Sequence, residues 1–232
     1  MYSMKGQHAF TIAYSEGFRA PSLSELYLQH SSSYGLTMQG NPNVLPERVQ
    51  AVELAYDHPH SKSWHWRIAT FYNQYENMID FVYSLPIIAV NREGVTGKGL
   101  EYQFNWRPNK SISFSGQYEY LDMNDRSGDP ILYRSKHRGL LSTQLHTSIA
   151  DVHVSVRTWS EQQYDDFLSH DYEMVGSKII FPIKTLPAQT IPEIILSKKI
   201  NSYKASLKIS NLLDTSYELI QDYPMPGRTW HV

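Results

Sequence analysis

Apolar and polar residues alternate along most of this chain. In 203–211, Tyr203, Ala205, Leu207 and Ile209 fall on one face of an extended strand, and Lys204, Ser206, Lys208 and Ser210 fall on the other. Leu100, Tyr102, Phe104 and Trp106 likewise oppose Glu101, Gln103, Asn105 and Arg107. Ile112, Phe114, Tyr118 and Tyr120 oppose Ser111, Ser113, Ser115, Gln117 and Glu119, and Val152, Val154 and Val156 oppose Asp151, His153, Ser155 and Arg157. This period of two predicts strands near 7–15, 48–57, 63–76, 97–107, 111–121, 136–147, 150–159, 189–200 and 203–211, with a last one beginning at 227. The connections at 58–62, 108–110, 148–149 and 201–202 are short. Those at 16–47, 77–96, 122–135, 160–188 and 212–226 are long, and the two kinds alternate without exception. Segments of about ten residues, apolar on one side and charged on the other, suit a wall with lipid outside and water inside. The expected fold is therefore all-β: an antiparallel, up-and-down transmembrane β-barrel. A soluble sheet with one buried face shares the alternation but not the loop asymmetry.

Composition changes this picture little. The net charge of −2 gives no basic field of the kind that draws nucleic acid, and the chain has no cysteine for a disulfide or a thiolate metal site. The 17 tyrosines fit strands and membrane–water interfaces. Mean hydropathy is −0.45, but a barrel hides its apolar residues at alternate positions, so the mean misleads. Residues 1–10 lack the basic head and apolar core of a signal peptide, which an outer-membrane protein needs. Either the membrane reading is wrong or the chain has lost its beginning.

Several motifs stand in order along the chain. Gly17-Phe18-Arg19-Ala20-Pro21-Ser22 opens the longest loop and continues to Glu25-Leu26-Tyr27. Gly40-Asn41-Pro42-Asn43-Val44-Leu45-Pro46-Glu47 closes it. Val52-Glu53-Leu54, Asn91-Arg92-Glu93-Gly94, Gly99-Leu100-Glu101-Tyr102 and Arg134-Ser135-Lys136-His137-Arg138 follow. Asn211-Leu212-Leu213-Asp214-Thr215-Ser216-Tyr217 and Tyr223-Pro224-Met225-Pro226-Gly227-Arg228 complete the set. Together they resemble the boxes of TonB-dependent outer-membrane receptors, across nearly the whole chain.

Read as physics, these boxes are mostly structural. Gly17 and Gly227 are expected to give φ freedom where the chain leaves or rejoins the wall. Pro21, Pro42, Pro46, Pro224 and Pro226 stiffen loops, and Asn41 and Asn211 form turns. Arg19, Glu47, Glu53, Glu101 and Arg228 are expected to face the lumen. The resemblance implies a receptor importing a ferric siderophore, cobalamin or haem, driven through the TonB energy-coupling complex by way of the full-length protein. It also implies a 22-stranded barrel in outer-membrane lipid, with an N-terminal plug in the lumen. Residues 1–232 supply about ten C-terminal strands of such a barrel, clipped at both ends, without plug or coupling box. On that reading the chain does not transport alone.

Candidate ligand contacts are loop residues. His30 lies between the two boxes, where haem receptors of the family carry a histidine; Tyr34, Tyr83, Tyr164 and Tyr172 are aromatics at the barrel mouth. The run from Tyr164 to Glu173 gathers carboxylates and aromatics without the spacing or the glycine of a calcium loop. The sequence calls for no resident cofactor or metal. A small self-contained barrel acting as a porin is one alternative. An outer-membrane hydrolase is the other, for which His153 and Ser155 share the inner face of one strand, but no G-x-S-x-G elbow is present.

Overall fold

The computed structural model describes residues 2–4, 8–31, 37–58, 63–82, 86–167, 169, 171–175 and 178–232. Eleven strands form one antiparallel sheet. They are β1 (Tyr2–Met4), β2 (His8–Arg19), β3 (Glu47–His58), β4 (Trp64–Glu76), β5 (Val95–Trp106), β6 (Ile112–Asn124), β7 (His137–His146), β8 (Asp151–Trp159), β9 (Gln189–Ile200), β10 (Tyr203–Ser210) and β11 (Thr229–His231). Each pairs with its neighbours in sequence order, the up-and-down topology that the alternation predicts, and the sheet does not close, with β1 and β11 at its edges. Strands β2 to β9 run 9–13 residues, enough to cross a bilayer's hydrocarbon when tilted. No helix among the described residues is long and apolar enough to cross a membrane, which says nothing of strands.

The register shows why one face is apolar. Ile12 lies opposite Leu54, Leu54 opposite Thr70, and Thr70 opposite Leu100. Farther on, Phe114 meets Thr143, Thr143 meets Val154, Val154 meets Ile194, and Ile194 meets Ile209. Because the side-chain period is two, these rows place the apolar members of every strand on a single face. Ile12 is 77% exposed and Leu54 51% exposed, so this face is uncovered. At the short-turn end it carries aromatics in contact: Trp64 and Trp106 have ring centroids 6.2 Å apart, and Trp106 and Phe114 5.2 Å. That is a barrel's interfacial girdle.

The opposite face is polar. Arg67 bridges Glu53 at 2.7 Å and Asp57 at 2.8 Å, and Lys208 meets Glu193 at 2.9 Å. Glu53 and Glu101 take this inner face, as expected.

Three expectations need correction. Strand β2 runs to Arg19, not to 15, so Gly17, Phe18 and Arg19 pair with Val49, Arg48 and Glu47 in the wall and are not loop. The run Ser15-Glu16-Gly17 reads as a break, yet the alternation resumes at Phe18, which is 78% exposed in step with Ile12. Second, Gly17 and Gly227 do not take positive φ. Among the described residues the left-handed glycines are Gly94 and Gly128, and Asn77, Asn211 and Asp214 do similar work. Gly227 is instead a close approach, since a Cβ there would lie 2.7 Å from the Asp214 carboxylate. Third, the long connections are not plain loops. Gln29–Ser31, Thr37–Gln39, Ile87–Arg92 and Met78–Val82 form a four-stranded sheet of their own, and 162–186 and 218–224 hold further hairpins.

Candidate functional site

All long connections lie at one end of the sheet, and side chains lock them together. Over β2 and β3, Ser22 starts the helix Leu23–Tyr27 through a capping box: its Oγ accepts from the Glu25 N–H at 3.2 Å, and Glu25 Oε2 accepts from the Ser22 N–H at 2.6 Å. The Glu25 carboxylate also takes the Arg19 guanidinium at 3.0 Å on both oxygens, and Arg19 reaches Glu47 at 3.5 Å. Burial works against the Glu25 charge, but the Ser22 N–H and the Arg19 fork hold its carboxyl below the usual range. Thus the first box, its helical continuation and the second box meet in one cluster.

Asn41 and Asn91 fasten the next layer. Asn41 Oδ1 accepts from the Asn43 N–H, making an Asx turn over Pro42, while its Nδ2 donates to the Ala89 carbonyl at 3.0 Å. Asn91 accepts from the Leu45 N–H at 2.8 Å and donates to the Leu45 and Asn77 carbonyls. Val44, Ile79 and Ala89 are buried between them, with Leu26 and Phe81 packed alongside. Pro46 precedes Glu47, whose carboxylate also accepts from the Ile79 N–H.

The other loops interlock around two buried polar residues. Gln162 accepts from Ser135 Oγ at 3.3 Å and donates to the Leu219 carbonyl at 2.9 Å. Asp166 takes Lys184 at 2.5 Å and the Gln221 amide. The Lys184 contact holds the Asp166 carboxyl below its ordinary value, whereas burial pushes the neighbouring Asp165 up. Asn211, buried with φ +51°, accepts from the Thr215 N–H and donates to the Thr215 and Pro226 carbonyls. Asp214 accepts from the Arg228 N–H at 2.7 Å, and Tyr217 accepts from the Met225 N–H. The last two boxes are therefore one knot at the head of β10 and β11.

Beneath this roof, on the inner face, lies a cleft of about 550 Å³. Glu101, Gln103, Gln117, Glu119, Arg138 and Arg157 floor it; Trp159, Gln162, Tyr217 and Leu219 close it from above. Polar groups below and aromatic or apolar groups above suit an amphipathic guest. A second cleft, of about 390 Å³, opens between loops beside Phe81, Arg92, Tyr133, Arg134 and Leu219.

The candidate contacts are scattered over this roof. His30 is exposed in the strand Gln29–Ser31, across from Met38. Tyr164 is tilted against Tyr133, with ring centroids 6.1 Å apart, and burial raises its pKa. Tyr172, 52% exposed, approaches the Phe181 ring at 6.4 Å. Tyr34 and Tyr83 lie outside the described residues. Ser135, Gln162 and Gln221, which the sequence reading passed over as site residues, organise the roof. Only Ser135, inside a motif, carried any sequence signal. His153 and Ser155 do share the inner face of β8, but no hydrogen bond joins them, and they pair across the strands with Ile195 and Glu193. Among the described residues no group of three or more His, Asp or Glu is placed to hold a metal ion.

An open sheet with an apolar outer face, a charged inner face and a locked roof at one end defines a segment of a transmembrane β-barrel wall. A family model described as TonB dependent receptor-like, beta-barrel, matches residues 2–212, and the chain belongs to that family. It is 24% identical, over 95% of its length, to the vitamin B12 transporter BtuB of Vibrio cholerae, and spans about a third (33%) of that relative. The siderophore receptor PirA of Acinetobacter baumannii superposes with a TM-score of 0.72 at 14% identity, covering 98% of this chain and 38% of that one. The ferric enterobactin receptor PfeA of Pseudomonas aeruginosa gives 0.74 at 15% identity, covering 99% and 38%. The copper transporter OprC also gives 0.74, at 13% identity, covering 96% and 36%. Relatives named for different cargo fit equally well, so the likeness speaks for the fold alone.

Proposed function

We propose that this chain forms the wall and part of the roof of an outer-membrane receptor that takes up a metal chelate or corrinoid by energy-coupled transport. The observation that carries the reading is the unbroken apolar outer face over nine full strands, backed by a charged inner face. Water would not leave the first uncovered, nor lipid accept the second. The sheet's two edges present unpaired backbone groups that a bilayer does not tolerate, so transport requires further strands beside β1 and β11. In that assembly the inner face surrounds a plug, TonB acts through the full-length protein, and guests settle between the roof and the cleft of Arg138 and Trp159. His30, Tyr164 and Tyr172 are the proposed outer contacts, with Tyr34 and Tyr83.

The test is fractionation followed by binding. Antibody to the 160–188 loop should detect, in outer membranes, a heat-modifiable polypeptide of roughly three times 26.9 kDa, in keeping with the one-third coverage of the BtuB relative. Purified, it should bind a ferric catecholate or cyanocobalamin. A band at 26.9 kDa in the membrane would favour the small porin-like barrel. A band in the soluble fraction would overturn both.

A further inference from the structure

The two ends of the wall differ in their supply of carboxylates. At the roof end, which is rich in them, Arg19, Arg92, Lys136 and Lys184 each meet one, whereas Arg48, Arg134 and Arg228 are exposed and form no ion pair among the described residues. At the short-turn end, Arg107, Lys110, Lys198, Lys199 and Lys204 are all exposed, and none forms an ion pair among the described residues. The two carboxylates at that end are already engaged, Asp57 by Arg67 at 2.8 Å and Asp151 by His146 at 2.7 Å.

The hairpin of β9 and β10 concentrates this excess. Lys199 lies directly opposite Lys204. Like charges in such a pair weaken a hairpin. Lys198 belongs to the outer, lipid-facing side, in register with Ala205 and between Leu196 and Ile200. Tyr203, in register with Ile200, is 80% exposed on the same side. Lysine and tyrosine at the margin of an apolar belt lie at headgroup depth, where long cationic side chains snorkel. Arg107 and Lys110 stand at the same level, with the β7–β8 hairpin between, beside the Trp64–Trp106 girdle.

We propose that the short-turn end, centred on Lys198, Lys199 and Lys204, binds the headgroup phosphates of anionic phospholipid in the adjoining leaflet. Lys198 reaches the phosphate from the lipid-facing side, where the acyl chains lie along Leu196 and Leu207, while Lys199 and Lys204, on the inner face at the tip of the same hairpin, add positive field within a Debye length of it. The basic rim then gathers a shell of acidic lipid and fixes the depth of the wall.

The proposal rests on the membrane reading above, and its test separates the two. The chain holds no cysteine, so Tyr203→Cys in the receptor as expressed can carry a bimane label, with the unsubstituted receptor as blank. The protein is reconstituted with brominated phosphatidylcholine or brominated phosphatidylglycerol, and quenching gives the relative occupancy of the labelled site. Phosphatidylglycerol should be favoured roughly fivefold or more. The preference should fall towards one in 0.5 M salt, and in the triple variant Lys198→Gln, Lys199→Gln, Lys204→Gln. Equal quenching by both lipids, or a preference that survives the triple variant, overturns the proposal and leaves the membrane reading intact. No quenching by either lipid overturns both.

Discussion

At the residue scale, a few side chains bonded to backbone carry the roof. Asn91 makes three such bonds, to the Leu45 N–H and to the Leu45 and Asn77 carbonyls. Each is worth about 1 kcal/mol, so Asn91→Ala should cost the 41–46 turn on the order of 2 kcal/mol while β2 to β10 hold. Hydrogen exchange should quicken at Val44 and Leu45 and stay slow in the wall; uniform acceleration would show that Asn91 serves the whole sheet. Asp165 and Asp166 are adjacent yet oppositely shifted. Asp166 lies below its ordinary value through Lys184, so it stabilises above the unfolded pKa, and that contribution is lost as pH falls through the folded one. Asp165 lies above its ordinary value through burial, so its contribution is present at low pH and lost as pH rises. Asp166→Asn should therefore loosen the 160–188 loop at pH 7, and Asp165→Asn should tighten it. Both differences should shrink below about pH 4. Proteolysis rates at the loop, measured across that range with an acid-stable and a neutral protease, read both signs.

At the element scale, period-two alternation made the wall legible and left the roof obscure. The strands at 48–57, 63–76 and 150–159 were placed within a residue or two, because one apolar face must meet lipid along its whole length. The roof carries no period. Its shape comes from contacts such as Gln162 with Leu219, fifty-seven residues apart, and Asn41 with Ala89, forty-eight apart. The motif residues marked where the roof is fastened, but nothing in their spacing gave the partners. Gly40 shows the limit well. It opens the second box, and its φ is not positive. What it needs is space: a Cβ there would stand 2.5 Å from the Tyr27 nitrogen and 2.6 Å from the Leu26 carbonyl carbon. Backbone cannot yield as a flexible side chain can. Gly40→Ala should push the helix Leu23–Tyr27 off the Asn41 turn and expose Val44. Unchanged protease resistance in 20–46 would mean the loop relaxes without losing its packing.

At the scale of the whole molecule, the two faces of one strand should respond oppositely to the same substitution. Val154 and Ser155 are neighbours near the middle of β8. Val154 lies in register with Thr143 and Ile194 on the apolar face, Ser155 with Ser142 and Glu193 on the charged one. In a soluble sheet covered on its apolar side, an arginine at Val154 would cost stability through lost packing and a buried charge, and detergent or lipid would not matter. In a barrel wall, it must be buried in hydrocarbon, at about 2–4 kcal/mol near the midplane. An arginine at Ser155 would instead meet the Glu193 carboxylate and lumen water at little cost. Val154→Arg should thus reduce the heat-modifiable, membrane-extracted fraction strongly, and Ser155→Arg should leave it near the parent's level. The deficit of Val154→Arg should also deepen in thicker bilayers, where water defects and snorkelling reach the midplane less readily. Equal losses from both substitutions would mean that the two faces do not see different solvents, and the barrel reading would fall with that result.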